Sequence, residues 1–118
     1  MTHYKLQGRT ILIVEDEPLI ALDIAQAFER GGAFVTTTNT LHHALILVEN
    51  DGLAAAVLDH ALSDGNTTSL CKRLNERNIP FVVYTGFSKL KGECAAGVHV
   101  HKPASPDALV ATVASLIE

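Results

Sequence analysis

Residues 54–59, Ala54-Ala55-Ala56-Val57-Leu58-Asp59, form an apolar run of strand length that ends on an acid. An unbroken run of this kind reads as a strand buried on both faces. Its closing carboxylate then lies at the strand's carboxyl end, the edge of an open parallel sheet where ligands bind. The arrangement recurs on either side. Thr10-Ile11-Leu12-Ile13-Val14 leads into Glu15 and Asp16, Phe81-Val82-Val83-Tyr84 leads into Thr85-Gly86, and Val98-His99-Val100 precedes Lys102-Pro103. If these strands are parallel neighbours, three acids, a hydroxyl and an ammonium converge on one rim, with Asp59 as the reacting group.

The segments between the runs have helical spacing. Pro18 suits a first helical position, Ile20, Ile24 and Phe28 with Ala21 and Ala25 make a buried stripe, and Gly31-Gly32 stops the helix. Ala33 to Thr36 supplies a short second strand. Thr40 caps a second helix whose core face is Leu41, Ala44, Leu45 and Val48, closed by Asn50-Asp51-Gly52. Ser63-Asp64-Gly65-Asn66 reads as a loop, and a third helix through Leu70 and Leu74 ends before Asn78-Ile79-Pro80. From Phe87 to Gly97 the apolar pattern is weak, which predicts a loop with at most a short helix. Ser105-Pro106-Asp107 opens a last helix with Leu109, Val110, Val113, Leu116 and Ile117 facing the core. Residues 1–9 read as a polar lead-in. Five strands alternating with helices place the chain among α/β folds with a parallel sheet.

Composition narrows the function. The 118 residues predict one domain over 1–118, without a linker or repeat. A net charge of -4 gives no basic stripe for nucleic acid, and no apolar run reaches the length of a membrane span. Cys71 and Cys94 are too few and too far apart to read as a disulfide framework. Cys71 is expected as a small core residue, and a reducing cytoplasm as the location. His42-His43, His99 and His101 lack the spacing of a zinc site.

Three carboxylates in one cleft resist full ionisation unless a cation joins them. Magnesium, which takes one or two protein carboxylates along with phosphate oxygens and water, suits Glu15, Asp16 and Asp59. Asp59 is then placed to attack phosphorus and form an acyl phosphate. Lys102 would act as a point charge on one phosphoryl oxygen and Thr85 as a hydrogen-bond donor to another.

At these residues the chain resembles the response-regulator receiver domains of two-component signalling, of the single-domain chemotaxis-regulator type. The match runs through Ile11-Leu12-Ile13-Val14-Glu15-Asp16-Glu17-Pro18, Val57-Leu58-Asp59, Tyr84-Thr85-Gly86 and Lys102-Pro103, in order, over essentially the whole chain. The segment from Pro80 to Phe87 also resembles an alphaproteobacterial subgroup with a Phe-Ala-Thr-Gly motif. The resemblance implies a doubly wound, five-stranded sheet of order 2-1-3-4-5, with Asp59 as phosphoacceptor and Thr85 and Lys102 as its assistants. It implies magnesium held by Asp16, Asp59 and the backbone carbonyl of Ala61, with Glu15 acting through water. A histidine kinase or histidine phosphotransfer protein is the implied donor, and a downstream protein or a phosphoryl-sink role is the implied output. No output domain, nucleic acid or membrane is expected, and the chain is expected as a monomer or weak homodimer. It would catalyse only its own phosphorylation and dephosphorylation.

Two departures stand out. The family's usual aromatic switch residue, three before the lysine, is His99 here, and the interval from Thr85 to Lys102 is short, which implies a shortened fourth helix. These favour an alternative, a phosphorylation-independent interaction module with the same fold. A phosphatase of similar topology would want a second acid two residues after Asp59, where Ala61 stands.

Overall fold

Five strands pair in parallel in the computed structural model of the chain, which describes residues 5–62, 65–86 and 92–117, with the backbone alone for 61, 62, 65 and 66. They are β1 (Thr10–Val14), β2 (Phe34–Thr38), β3 (Leu53–Asp59), β4 (Phe81–Thr85) and β5 (Val98–His101), in the spatial order β2-β1-β3-β4-β5. Alternation sorts their side chains between two cores. Ile11, Ile13, Ala55, Val57, Val82 and Tyr84 face one side, and Leu12, Val14, Ala56, Leu58, Phe81 and Val83 the other. Helices α1 (Pro18–Arg30) and α4 (Pro106–Leu116) cover the first side with Ile24, Phe28, Leu109, Val110 and Val113. Helices α2 (Leu41–Leu47) and α3 (Thr68–Glu76) cover the second with Ala44, Leu70 and Leu74. Burial on both faces is why β1, β3 and β4 read as continuous apolar runs rather than alternating ones.

The helix signals act where the sequence places them. Pro18 stands at the start of α1, and Gly31 and Gly32 end it, Gly32 at φ 97° where a side chain would be strained. The Thr40 hydroxyl accepts from the His43 amide at 3.2 Å, and the Ser105 hydroxyl accepts from the Ala108 amide at 3.1 Å. Across the exposed side of α3, Arg73 holds Glu49 through two hydrogen bonds of 2.6 and 2.7 Å, and Arg77 reaches Asp51 at 2.7 Å.

Several expectations are corrected. The second strand is Phe34–Thr38 rather than 33–36, because its threonines pair along β1 as far as Val14 and Thr38. Helix α2 ends at Leu47, with Val48 as its cap, before the Asn50-Asp51-Gly52 turn. The lead-in is not wholly polar: Leu6 is fully buried against the α1 side, where the Gly8 amide donates to Gly32. Ile20 is 44% exposed rather than core, since the first turns of α1 overhang the rim of the sheet. Gly65–Asn66, expected in a loop, pairs antiparallel with Ala61–Leu62; residues 63 and 64 lie outside the described residues. In the weak stretch after Thr85, Gly92–Ala96 forms a single 3-10 turn where the fourth helix was expected to be cut down, and 87–91 lie outside the described residues.

The cysteines need the largest correction. Cys71 on α3 and Cys94 on the 3-10 turn form a disulfide, with their Cα atoms 5.0 Å apart. Their 23-residue separation hid the pairing, because the fold lays the turn directly on α3. The Asn75 side-chain amide fastens the same seam, donating to the Glu93 carbonyl at 2.9 Å and its carboxylate at 3.1 Å.

Gly97 links this turn to β5 at the closest approach in the seam. A Cβ there would fall 2.6 Å from Cδ2 of the buried Phe81 ring. Gly97→Ala is therefore expected to destabilise the fold by about 1–3 kcal/mol. Chemical denaturation checks this as a lower midpoint with an unchanged slope.

Candidate functional site

The strand order reverses between β1 and β3, and this opens a crevice. After β1 the chain turns to the α1 side of the sheet, and after β3 to the α3 side, so the two loops diverge above adjacent strands. Glu15 and Asp16 follow β1, while Asp59 closes β3. Pairing of Val14 with Leu58 brings these ends side by side. One oxygen from each of the three carboxylates lies within 4.8 Å of the others. From the other half of the sheet, Lys102 extends Nζ to Asp59 Oδ1 at 2.9 Å, and its backbone amide donates to the Thr85 carbonyl at 2.8 Å. The Lys102–Pro103 peptide is cis.

The residues differ sharply in burial. Glu15, Asp59 and Thr85 are buried, whereas Lys102 keeps a side chain 39% exposed. Both Glu15 carboxylate oxygens are buried without a hydrogen-bond partner among the described residues. Burial first, and the neighbouring Asp59 second, push Glu15 up to about 7, against a smaller lowering by Tyr84. Lys102 compensates Asp59, and among the described residues this second buried acid has no salt-bridge partner. A hard cation fits that donor set of three carboxylates.

Tyr84 is a residue of the site to which the sequence assigned no role beyond its place in the strand and in the Tyr84-Thr85-Gly86 motif. It is paired in register with Asp59, and its ring lies under Lys102 with Nζ 5.1 Å from the ring centre. Its buried hydroxyl faces the acidic group: burial chiefly, then Glu15, raise its pKa far above the usual range. The signal was available in the strand alternation, which puts Tyr84 on the α1 side beside the loop that carries Glu15. An open cleft of about 480 Å³ continues from Tyr84 and Lys102 past Ile20, Ile24, Pro103 and Leu109.

The remaining expected residues divide. Ala61 lies two residues beyond Asp59, in the short ladder. His99 aligns with Val83 and therefore shares a sheet face with Thr85; its Nε2 lies 3.2 Å from the Cys94 carbonyl oxygen. His42 and His43 have ring centres 5.7 Å apart, and among the described residues no cluster of metal-ligand type includes them.

The sequence profile of the response regulator receiver domain matches residues 11–114. The chain belongs to this family. Among curated relatives, the photosynthetic apparatus regulatory protein RegA of Rhodobacter capsulatus is 31% identical over 90 residues, covering 75% of this chain and 49% of that protein. The sensory transduction protein RegX3 of Mycolicibacterium smegmatis is 30% identical, covering 92% of this chain and 50% of its own. The receiver domain thus spans about half the length of the curated relatives it matches. A CheY-like receiver domain from Methanospirillum hungatei superimposes with a TM-score of 0.83 at 25% identity, covering 94% of each chain.

The raised pKa of Glu15 couples stability and cation binding to pH. Below its ordinary value of 4.5 Glu15 is neutral in both folded and unfolded chains. Between 4.5 and about 7 the unfolded chain ionises while the folded one resists, so this contribution to stability is lost as pH rises through the folded value. A bound cation reverses the preference, because it favours the ionised acid. Magnesium is expected to raise the melting temperature more at about pH 8 than at about pH 6, and Glu15→Gln to flatten the difference. Thermal unfolding with and without magnesium at both pH values measures this.

Proposed function

We propose that Asp59 accepts a phosphoryl group from a histidine kinase or histidine phosphotransfer protein, and that the new charge switches a protein-binding surface or drains a shared donor. The observation that carries this reading is the contact of Lys102 Nζ with Asp59 Oδ1 in the crevice that holds the acidic trio. An Asp59 oxygen forms the new bond to phosphorus as the donor's phosphorus–nitrogen bond breaks, and the freed imidazole takes a proton. Hydrolysis returns the carboxylate and releases inorganic phosphate. Lys102 passes from the carboxylate to a phosphoryl oxygen, with Tyr84 beneath the ammonium along that path. Thr85 donates its hydroxyl to another phosphoryl oxygen, and Gly86 leaves room beside it. Magnesium, held by Asp16, Asp59 and the Ala61 carbonyl with Glu15 acting through water, would neutralise charge on the phosphoryl group.

The first turns of α1 supply a surface for the donor. Leu19 and Leu22 are 75% and 51% exposed, and Ile20 walls the cleft that leads to Lys102. Such an apolar rim beside a buried acid suits a protein donor better than a free phosphate. The domain acts here as a single receiver unit over 1–118 in the cytoplasm, as a monomer or weak homodimer, and catalyses only its own phosphorylation and dephosphorylation. His99 takes the switch position on the face of Thr85.

Beryllofluoride, a phosphoryl mimic, tests the proposal through backbone NMR. Magnesium is expected to shift Asp16 and Asp59, and beryllofluoride then to spread shifts to Thr85 and His99. Asp59→Asn is expected to abolish the second response. Magnesium shifts without any beryllofluoride response in the wild type would instead favour the phosphorylation-independent module.

A further inference from the structure

The Cys71–Cys94 pair lies outside the site chemistry but inside its mechanical path. Cys71 is fully buried on α3, and Cys94 is 3% exposed on the 3-10 turn. That turn lies between Thr85, which closes β4, and His99, which starts β5 one residue in. The Cys94 carbonyl contacts His99 Nε2 directly, at 3.2 Å. A covalent link at this point ties the backbone that touches His99 to α3, on the sheet face shared with Thr85.

Both oxidation states have a place for the Cys94 sulfur. Thr67 Oγ1, buried and not used to cap α3, lies 3.6 Å from Cys94 Sγ and can donate to the disulfide sulfur. The Thr67 carbonyl oxygen lies 3.7 Å from the same sulfur and can accept from it once it is a thiol. The hydrogen bonds from Asn75 to Glu93 hold the turn to α3 beside the disulfide, a second tie that does not depend on the S–S bond.

We propose that Cys71 and Cys94 are a thiol–disulfide exchange site that clamps the turn between Thr85 and His99 and thereby gates the switch. The reductant is a dithiol. Its thiolate attacks Sγ of Cys94, the residue that keeps 3% exposure where Cys71 keeps none, once the turn opens locally, and the disulfide bond breaks with Cys71 leaving as a thiolate that takes a proton. The second thiol then closes the reductant's own disulfide and releases Cys94 as a thiol. Two electrons pass from the dithiol to the protein, and a low-molecular-weight disulfide such as oxidised glutathione returns the clamp by the reverse exchange. The link of clamp to phosphoryl signalling rests on the proposed function above; the clamp itself does not.

The test uses the full chain equilibrated with oxidised glutathione or with dithiothreitol. Non-reducing peptide mapping is expected to find a Cys71–Cys94 linked peptide only in the oxidised sample, and its absence there overturns the proposal. Amide exchange across residues 92–97 is expected to be about tenfold slower in the oxidised form; equal rates in both forms overturn the clamp. Cys71→Ala/Cys94→Ala is expected to exchange like the reduced form and to ignore redox conditions, whereas a persisting redox response would assign the effect elsewhere and overturn it. Beryllofluoride shifts at Thr85 and His99 are expected to be smaller in the oxidised form, and equal shifts in both forms overturn the gating. If neither form responds to beryllofluoride while the linked peptide and slowed exchange are present, the phosphoacceptor reading fails and the clamp stands.

Discussion

Two buried carboxylates side by side, with one ammonium between them and bulk water, set the terms for this receiver domain. Asp59 is compensated by Lys102, but Glu15 lies beside it with both oxygens unpartnered among the described residues and its pKa raised to about 7. Burying a charge without a partner is costly, and the site therefore remains poised to take up positive charge and anionic oxygens together. The rest of the structure holds this imbalance in place. The parallel sheet brings the acids to adjacent strand ends, and β5 returns Lys102 across the rim of β4.

The same sheet sorts the residues of the rim by face. Tyr84 points to the α1 side, under Lys102 and toward Glu15. Thr85 and His99 share the opposite face, where α3, the 3-10 turn and the disulfide lie. Adjacent residues of one strand thus meet different surroundings: Tyr84 lies beside Glu15 and Lys102, while Thr85 lies on the face of His99. On that second face the 3-10 turn is tied to α3 twice, by the disulfide at Cys94 and by the hydrogen bonds of Asn75 to Glu93.

Much of this was legible in the sequence because of how parallel sheets work. Strands buried on both faces must be apolar throughout, so their ends stand out, and a polar residue directly after such a run belongs to the ligand edge. Glu15, Asp59 and Thr85 follow that rule, while Asp16 and Lys102 stand one residue further on and were singled out by the ordered set and its resemblance to the family's motifs. Helix starts at Pro18, Thr40 and Ser105 were equally visible, since capping is local chemistry. The local rules failed where packing decides. Ile20 continues the apolar spacing of α1 yet overhangs the rim, and Leu6 sits in a polar stretch yet fills the core.

The sequence by itself determined the α/β class, the carboxyl ends of β1 and β3 and the identity of the acids, hydroxyl and ammonium at the rim, because each follows from short-range pattern. Only the tertiary structure decided which groups touch. It placed the ring of Tyr84 beneath Lys102, buried both Glu15 oxygens beside Asp59, turned His99 toward the Cys94 carbonyl and joined Cys71 to Cys94. These are contacts between elements distant in the chain, set by register and by how closely helices settle on the sheet. A periodicity of two or 3.6 residues carries the face a side chain occupies, not the neighbour it meets there.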